Sequence, residues 1–232
     1  MNTGLVIIIG FALTALCFFC SKLFLDAGKR DDDERAFWYK GTAGLCFVAL
    51  GFLFFSRCEN SDFAGKVFLG LCCGLIGDQF LALRFIYDRQ YTLMFAIGTV
   101  AFAVEHILYI SALLGLAEGS VLKACIIAAV YFAAAAILLV RHKFRPGGAL
   151  NVLGYVYIAI VTFMGACALA ALAHTGSFSL VFFALAGILF IVSDVILCIQ
   201  NFGDRQRESD DLIVHTTYYT AQCLIAWTLF FI

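Results

Sequence analysis

The chain alternates between long apolar stretches and short polar connections. Eight of the apolar stretches are each about as long as one helical membrane crossing, which takes about 20 residues. They cover residues 3–25, 38–55, 63–87, 91–115, 121–140, 151–174, 177–200 and 213–232. The most polar connections are residues 26–35, which include a run of consecutive acidic residues, and residues 200–211. This pattern predicts an all-α integral membrane protein with eight transmembrane helices.

The composition agrees with this class. Of the 232 residues, 63% are hydrophobic and 13% are charged, and the mean hydropathy is +0.99, whereas soluble domains are about 45–50% apolar. The 15 basic and 16 acidic residues nearly cancel, so there is no basic surface that would hold nucleic acid. We predict a single membrane domain over residues 1–232, surrounded by the lipid bilayer and without a nucleic-acid partner. The sequence indicates no oligomeric state.

Basic residues are concentrated on one side of the predicted bundle. Most of the lysines and arginines lie in or beside the first, third, fifth and seventh connections. Positively charged connections stay in the cytosol. We therefore expect these four connections in the cytosol and both termini outside the cell or in a lumen.

The chain carries a weak internal repeat at half its length. A shift of 116 residues aligns Asp78 with Asp194 and His106 with Gln222, and it aligns the Asp-Arg-Gln triplets at 88–90 and 204–206. Polar residues are scarce inside membrane helices, so these matches favour two parallel four-helix halves, 1–116 and 117–232. Chance similarity between apolar helices is the alternative, because the first two helices of each half do not match.

Three acidic residues lie at membrane depth in the predicted helices: Asp78, Glu105 and Asp194. An ionised side chain there costs at least about 2.5–3.5 kcal/mol, so such residues are usually functional. We expect no cation at the same depth, because Lys40 opens its span and Arg84 reaches toward the cytoplasmic interface. Two aspartates without a cation cannot both be ionised at low cost. We therefore predict one protonated aspartate beside one carboxylate in the cytoplasmic half, an acid and a base for catalysis.

Other polar and aromatic residues are grouped around the two aspartates at helical spacing. They are Glu105, His106, Tyr109, Tyr155, Ser193, Tyr218 and Gln222. We expect them to line a wet pocket that opens to the cytosol and contacts a substrate. For any single residue, a hydrogen bond that only joins two helices is the alternative interpretation.

Several other enzyme classes lack their characteristic residues. The four histidines lie at different depths, so a zinc site is an unsupported alternative. Every lysine lies at a span end or in a connection, which excludes the retinal Schiff base of a rhodopsin. No Gly-x-Ser-x-Gly motif indicates a serine hydrolase. The ten cysteines have no paired spacing and are expected to be free thiols.

An ordered set of these residues resembles the YhhN-like membrane proteins, the lysoplasmalogenases. The matching stretches are Gly77-Asp78 with Leu81, residues 102–110 with His106 and Tyr109, residues 187–197 with Ser193 and Asp194, and Tyr218-Tyr219 with Gln222. They cover about half the chain, and the eight-span layout is also similar. Lys40 takes the place of a lysine that opens the second span in this family. Gly41 and Thr42 follow it here, where members often carry a proline.

The resemblance implies hydrolysis of the vinyl-ether bond of lysoplasmalogens, which releases a fatty aldehyde and a glycerophospho-ethanolamine or -choline. It also implies that Asp78 and Asp194 form the catalytic pair. We expect Lys40 and Arg84 to meet the phosphate of this lysophospholipid substrate, and no cofactor is required.

The remaining polar residues are expected to act on the same substrate. His106, Tyr109, Tyr218 and Gln222 would position water and the glycerol backbone. Two alternatives stay open: a membrane hydrolase of another lyso-lipid or lipid amide, and a small proton-coupled transporter, which would also use acids within the membrane.

Overall fold

The computed structural model describes residues 2–204 and 207–232. This part of the chain forms eight α-helices, with a short 3₁₀ turn at Asp88–Gln90. The helices are α1 (Thr3–Gly28), α2 (Asp33–Phe55), α3 (Ser61–Ile86), α4 (Tyr91–Leu116), α5 (Val121–Arg141), α6 (Gly148–Thr175), α7 (Ser179–Phe202) and α8 (Glu208–Phe231). Each predicted span corresponds to one helix, so the predicted all-α fold is confirmed. Arg205 and Gln206, from the second copy of the aligned triplet, lie outside the described residues.

The second helix begins earlier than the hydropathy pattern predicts. Asp32 caps it by accepting a 3.2 Å hydrogen bond from the backbone N–H of Arg35. Asp33 and Glu34 occupy the first turn, where acidic side chains favour the positive end of the helix dipole. A hydropathy pattern detects only the apolar part of a helix, so it does not include a polar first turn of this kind. Lys40 therefore lies about two turns inside α2, and it is buried.

Within the described residues, α1 to α7 are long and apolar enough to cross a membrane. The eighth helix is more polar because it carries His215, Tyr218 and Gln222. Large apolar side chains such as Leu122 and Val130 of α5 cover the outer surface. An apolar surface of this extent faces lipid in folded proteins. The protein is therefore a multi-pass integral membrane protein.

Small residues allow the helices to approach one another closely. A Cβ added to Gly187 of α7 would lie 2.7 Å from the Cα of Gly165 in α6, a contact that only small residues permit in membrane bundles. Aromatic rings fill the wider gaps, as where Phe54 of α2 packs against Trp227 and Phe230 of α8, with ring centroids 4.7 and 5.1 Å apart. This packing leaves a space between α1, α2, α3, α4, α7 and α8 at one end of the bundle.

Two connections at one end of the bundle are joined to each other. The backbone N–H of Arg145 donates to the carbonyl of Phe202, and that of Asp204 donates to the carbonyl of His142, both at 3.0 Å. The Lys143 ammonium lies 3.1 Å from the Asp204 carboxylate and holds the pKa of this exposed carboxyl below its usual value. Both connections are among those expected in the cytosol. The sidedness, the single domain and the two halves stay predictions.

Candidate active site

A cavity of about 490 Å³ lies between the helices, within the range of about 300–1,000 Å³ that is typical of ligand sites. Its rim includes the exposed Lys29, Asp31 and Asp211. Asp78 and Asp194 also line it, and these two side chains are only 3% and 5% exposed. The structure therefore brings both predicted acids to one cavity that opens at one end of the bundle.

Asp78 forms an ion pair with Lys40. The Nζ of Lys40 lies 3.0 Å from Oδ1 of Asp78, and both side chains are buried. The expectation that no cation lies at the depth of the aspartates is therefore wrong, because α2 begins early and carries Lys40 inward. An opposite charge at this distance favours the ionised carboxylate. Oδ2 of Asp78 is buried and has no close hydrogen-bond partner in the described part of the chain.

Asp194 belongs to a second cluster. Its Oδ2 accepts a 2.7 Å hydrogen bond from the Tyr157 hydroxyl. Nε2 of His106 lies 3.3 Å from that hydroxyl and 3.7 Å from Oδ2. Of these three residues, only Asp194 lines the cavity that Asp78 also lines. Tyr157 and His106 lie behind Asp194, away from the cavity.

The sequence prediction missed Tyr157 and named Tyr155 instead. Tyr155 is half-buried and packs against Phe144, with ring centroids 5.6 Å apart, so the structure does not bring it to Asp194. A signal was available. Tyr157 lies three residues after Gly154 and eight before Gly165, on one helical stripe, and small residues mark the face of a membrane helix that packs inward.

A third group of polar side chains lies deeper in the bundle. Oε1 of Glu105 accepts hydrogen bonds from the Tyr109 hydroxyl at 2.9 Å and from Nε2 of Gln222 at 2.7 Å. The same Nε2 donates to the Tyr218 hydroxyl at 3.0 Å, which in turn donates to the carbonyl of Gly74 at 3.3 Å. Glu105, Tyr109 and Gln222 are fully buried, and only Tyr218 reaches the cavity. The network therefore supports the cavity from behind.

Gly74 allows this network to approach α3. A Cβ at this position would lie 2.5 Å from Nε2 of Gln222 and 2.7 Å from Oε1 of Glu105. We expect Gly74→Ala to lower the free energy of unfolding by about 1–3 kcal/mol, because overpacking displaces buried groups. Thermal unfolding of the purified protein in detergent measures this effect. Gly65→Ala in the same helix is the control, since a Cβ there meets no atom within 4 Å. Equal unfolding midpoints for the two variants would contradict the close packing.

Arg84 is a buried cation in the cavity wall. Its guanidinium lies against the rings of Phe85, Tyr91 and Phe95, 4.7, 5.4 and 5.3 Å from their centroids. Arg84 lies in the last turn of α3, and these rings hold its guanidinium in place. Its Nε and Nη1 have no hydrogen-bond partner in the described part of the chain. A buried guanidinium with unused donors is suited to bind an anion such as phosphate.

The remaining polar groups of the wall come from α7 and α8. Ser193 lines the cavity, but its hydroxyl donates to the carbonyl of Val214 at 3.2 Å. His215 also lines the cavity, and its Nδ1 lies 2.7 Å from the carbonyl oxygen of Asp211. In the described part of the chain, no three His, Cys, Asp or Glu side chains come together as metal ligands. Below its charged rim, the cavity thus presents the carboxyl groups of Asp78 and Asp194, two cations, an imidazole and a phenol to a ligand.

Comparison with known proteins identifies relatives of this chain. The sequence profile of the YhhN family matches residues 35–229. The bovine protein named lysoplasmalogenase TMEM86A is 35% identical over 170 residues, and its human counterpart of the same name is 31% identical over 166 residues. Each alignment covers 70% of this chain and 64% of the relative, so the matched region spans somewhat less than two thirds of those proteins. No solved structure gives a significant match.

Proposed function

The chain belongs to the YhhN family, and we propose that it is a lysoplasmalogenase that hydrolyses the vinyl-ether bond of lysoplasmalogens. The observation that carries this proposal is the cavity lined by both Asp78 and Asp194 inside a membrane protein. Leu81, Phe102 and Leu197 supply an apolar part of the same wall, which suits the alkenyl chain of an amphiphile. With the basic connections in the cytosol, the cavity opens to the cytoplasmic side.

Hydrolysis of an enol ether requires a proton donor and a nearby anion. The donor transfers its proton to the alkene carbon that does not carry oxygen, and the electron pair of the double bond forms the new C–H bond. The resulting oxocarbenium ion is stabilised by a carboxylate, as in glycosidases. The same carboxylate takes a proton from the attacking water. This step forms a hemiacetal.

Collapse of the hemiacetal restores both carboxyl groups. The hydroxyl proton of the hemiacetal returns to the original donor, and the C–O bond to glycerol breaks as the second carboxyl group protonates the departing oxygen. The products are a fatty aldehyde and a glycerophospho-ethanolamine or -choline. One water is consumed, and no oxidant or reductant is needed.

The charges around the two aspartates suggest their roles. Lys40 favours the ionised form of Asp78, so we assign Asp78 as the carboxylate that stabilises the cation and activates water. Asp194 has a phenol and an imidazole as its close partners among the described residues, and neither is a permanent cation. We therefore assign Asp194 as the proton donor.

The phosphate of the substrate is assigned to Arg84. We expect Arg84→Met to raise the KM for lysoplasmalogen about 10- to 100-fold, because a charged hydrogen bond contributes about 1.5–3 kcal/mol. The kcat should change less, since the phosphate is bound alike before and during the reaction. Aldehyde release measured in mixed micelles over a range of substrate fractions gives both constants.

Two controls separate phosphate recognition from general damage. An alkenylglycerol without phosphate should show the same KM with the Arg84→Met variant as with the wild type. Arg141→Met, at an exposed arginine of α5, should leave the KM for lysoplasmalogen unchanged. An equal rise in KM for both substrates would remove the phosphate role from Arg84.

The experiment that tests the proposed function is mass spectrometry of products from a lipid panel. The purified protein is incubated with a lysoplasmalogen, the matching acyl lyso-lipid and a lipid amide. We expect a free fatty aldehyde from the lysoplasmalogen alone. Release of fatty acid from the other two lipids, without aldehyde, would overturn the proposal in favour of another hydrolase. Lipid or proton flux into sealed vesicles with no product would overturn it in favour of a transporter.

A further inference from the structure

Tyr157 lies against the carboxyl group that the proposed mechanism uses as its proton donor. We infer that Tyr157 is a positioning residue, which fixes the orientation of the Asp194 carboxyl group for proton transfer to the substrate. This inference rests on the proposed function. It goes beyond it by adding a residue that does not touch the substrate and by giving a role to His106.

Three side chains from three helices form a closed cluster around one carboxylate oxygen. The Tyr157 hydroxyl of α6 donates to Oδ2 of Asp194 in α7 at 2.7 Å. Nε2 of His106 in α4 lies 3.3 Å from the same hydroxyl. Because the phenolic hydrogen points to Asp194, the phenol oxygen is free to accept a hydrogen from His106. With the hydrogen of the imidazole on Nε2, a chain of hydrogen bonds runs from His106 through Tyr157 to Asp194.

Packing prevents this cluster from rearranging. Tyr157 and His106 are both buried. The ring of Phe190 packs edge-on against the imidazole of His106, with centroids 4.9 Å apart. Close packing leaves few other rotamers open to such side chains, so the tyrosine hydroxyl is held in place.

The two oxygens of the Asp194 carboxyl group differ in their surroundings. Oδ2 accepts the hydrogen bond from Tyr157, and Oδ1 is the other oxygen of the group. Asp194 lines the cavity, so Oδ1 is the oxygen available to the substrate. A carboxyl group anchored through one oxygen can present the other in a constant direction.

The direction of the carboxyl group matters because its proton must approach the alkene carbon from above or below the plane of the double bond. Misplacement of a reacting group by 1 Å can cost about 100-fold in rate. A residue that only orients the acid contributes to the reaction step and not to substrate binding. Its loss should therefore lower kcat and leave KM nearly unchanged, which a residue that merely joins two helices would not do.

The test is Tyr157→Phe, which removes one hydroxyl and keeps the ring. Aldehyde release is measured in detergent mixed micelles containing lysoplasmalogen, together with the thermal unfolding midpoint of each variant. We expect kcat to fall about 10- to 100-fold and KM to stay within about twofold of the wild-type value. Tyr131→Phe is the matched control, at a half-buried tyrosine of α5 that lies outside the cavity wall. It should keep both constants.

A second variant keeps the inference testable should Tyr157→Phe fail to fold. His106→Leu removes the donor to the phenol oxygen and leaves Tyr157 in place, so kcat should fall in the same way by a smaller factor. A kcat within about twofold of wild type for the folded Tyr157→Phe protein, or for His106→Leu in its stead, would overturn the inference. So would a rise in KM with unchanged kcat.

The inference and the proposed function fail in different ways. Undiminished aldehyde release by Asp194→Asn would reject the proposed mechanism itself. An inactive Asp194→Asn together with a fully active Tyr157→Phe would reject only the positioning role. A loss of kcat in both variants, with KM retained for Tyr157→Phe, is the result we expect.

Discussion

We expect Asp78→Asn and Asp194→Asn each to reduce aldehyde release by a factor of about 10²–10⁴, the range that general acid or base catalysis contributes. An amide has the shape of the carboxyl group, but it neither donates a proton to carbon nor accepts one from water. The two side chains line one cavity, so in the proposed mechanism either variant would deprive a bound substrate of one of its two reacting partners. Mass spectrometry of the aldehyde formed from lysoplasmalogen measures the loss.

The control for this prediction is Asp62→Asn. Asp62 lies in the same helix as Asp78, but it is exposed and pairs with Lys66 at the opposite end of α3. Its replacement should leave aldehyde release unchanged. Full activity of Asp194→Asn would remove the proton-donor role, and full activity of Asp78→Asn would remove the role of the second carboxylate.

Lys40→Met is expected to destabilise the protein by about 3–5 kcal/mol, because it leaves the buried Asp78 carboxylate without its partner. Lys40 and Asp78 are both almost fully buried, 3.0 Å apart. Thermal or denaturant unfolding in detergent measures the change in the free energy of unfolding. Activity should fall with stability, since an unpaired Asp78 no longer favours the carboxylate form that the mechanism needs.

Two comparisons make this prediction specific to the buried pair. Lys66→Met breaks the pair between Lys66 and Asp62, which is partly exposed, so its cost should be at most about 1 kcal/mol. The double variant Lys40→Met with Asp78→Leu replaces the whole buried pair by apolar groups and should recover much of the lost stability while remaining inactive. If Lys40→Met costs no more than Lys66→Met, the ion pair does not contribute to the fold as the structure implies.

The family match and the two aspartates could be recognised from the sequence. Asp78 and Asp194 were predicted to face one cavity because acidic residues are rare within membrane helices, and in the structure both line the same cavity. The residues that contact these two aspartates could not be predicted from the sequence in this way. The contact between Lys40 and Asp78 depends on how α2 packs against α3, and on the polar first turn of α2 that Asp32 caps.

The residues behind the cavity also could not be placed from the sequence alone. His106, Glu105 and Gln222 were predicted to line the pocket, but they are fully buried behind it. Tyr157 was not predicted at all, although it bonds directly to Asp194. Helical spacing tells which residues share a stripe on one helix. It does not tell which stripe faces which neighbour once eight helices pack together.

The sequence by itself determined the number of helices, their membrane setting and the two carboxyl groups. The free energy of placing each segment in lipid depends on that segment's own residues, so it can be read along the chain. The tertiary structure alone decided which cation pairs with Asp78, which phenol holds Asp194 and which polar residues reach the cavity. Those contacts join helices far apart in sequence, and they depend on helix rotation and crossing, which small-residue packing sets.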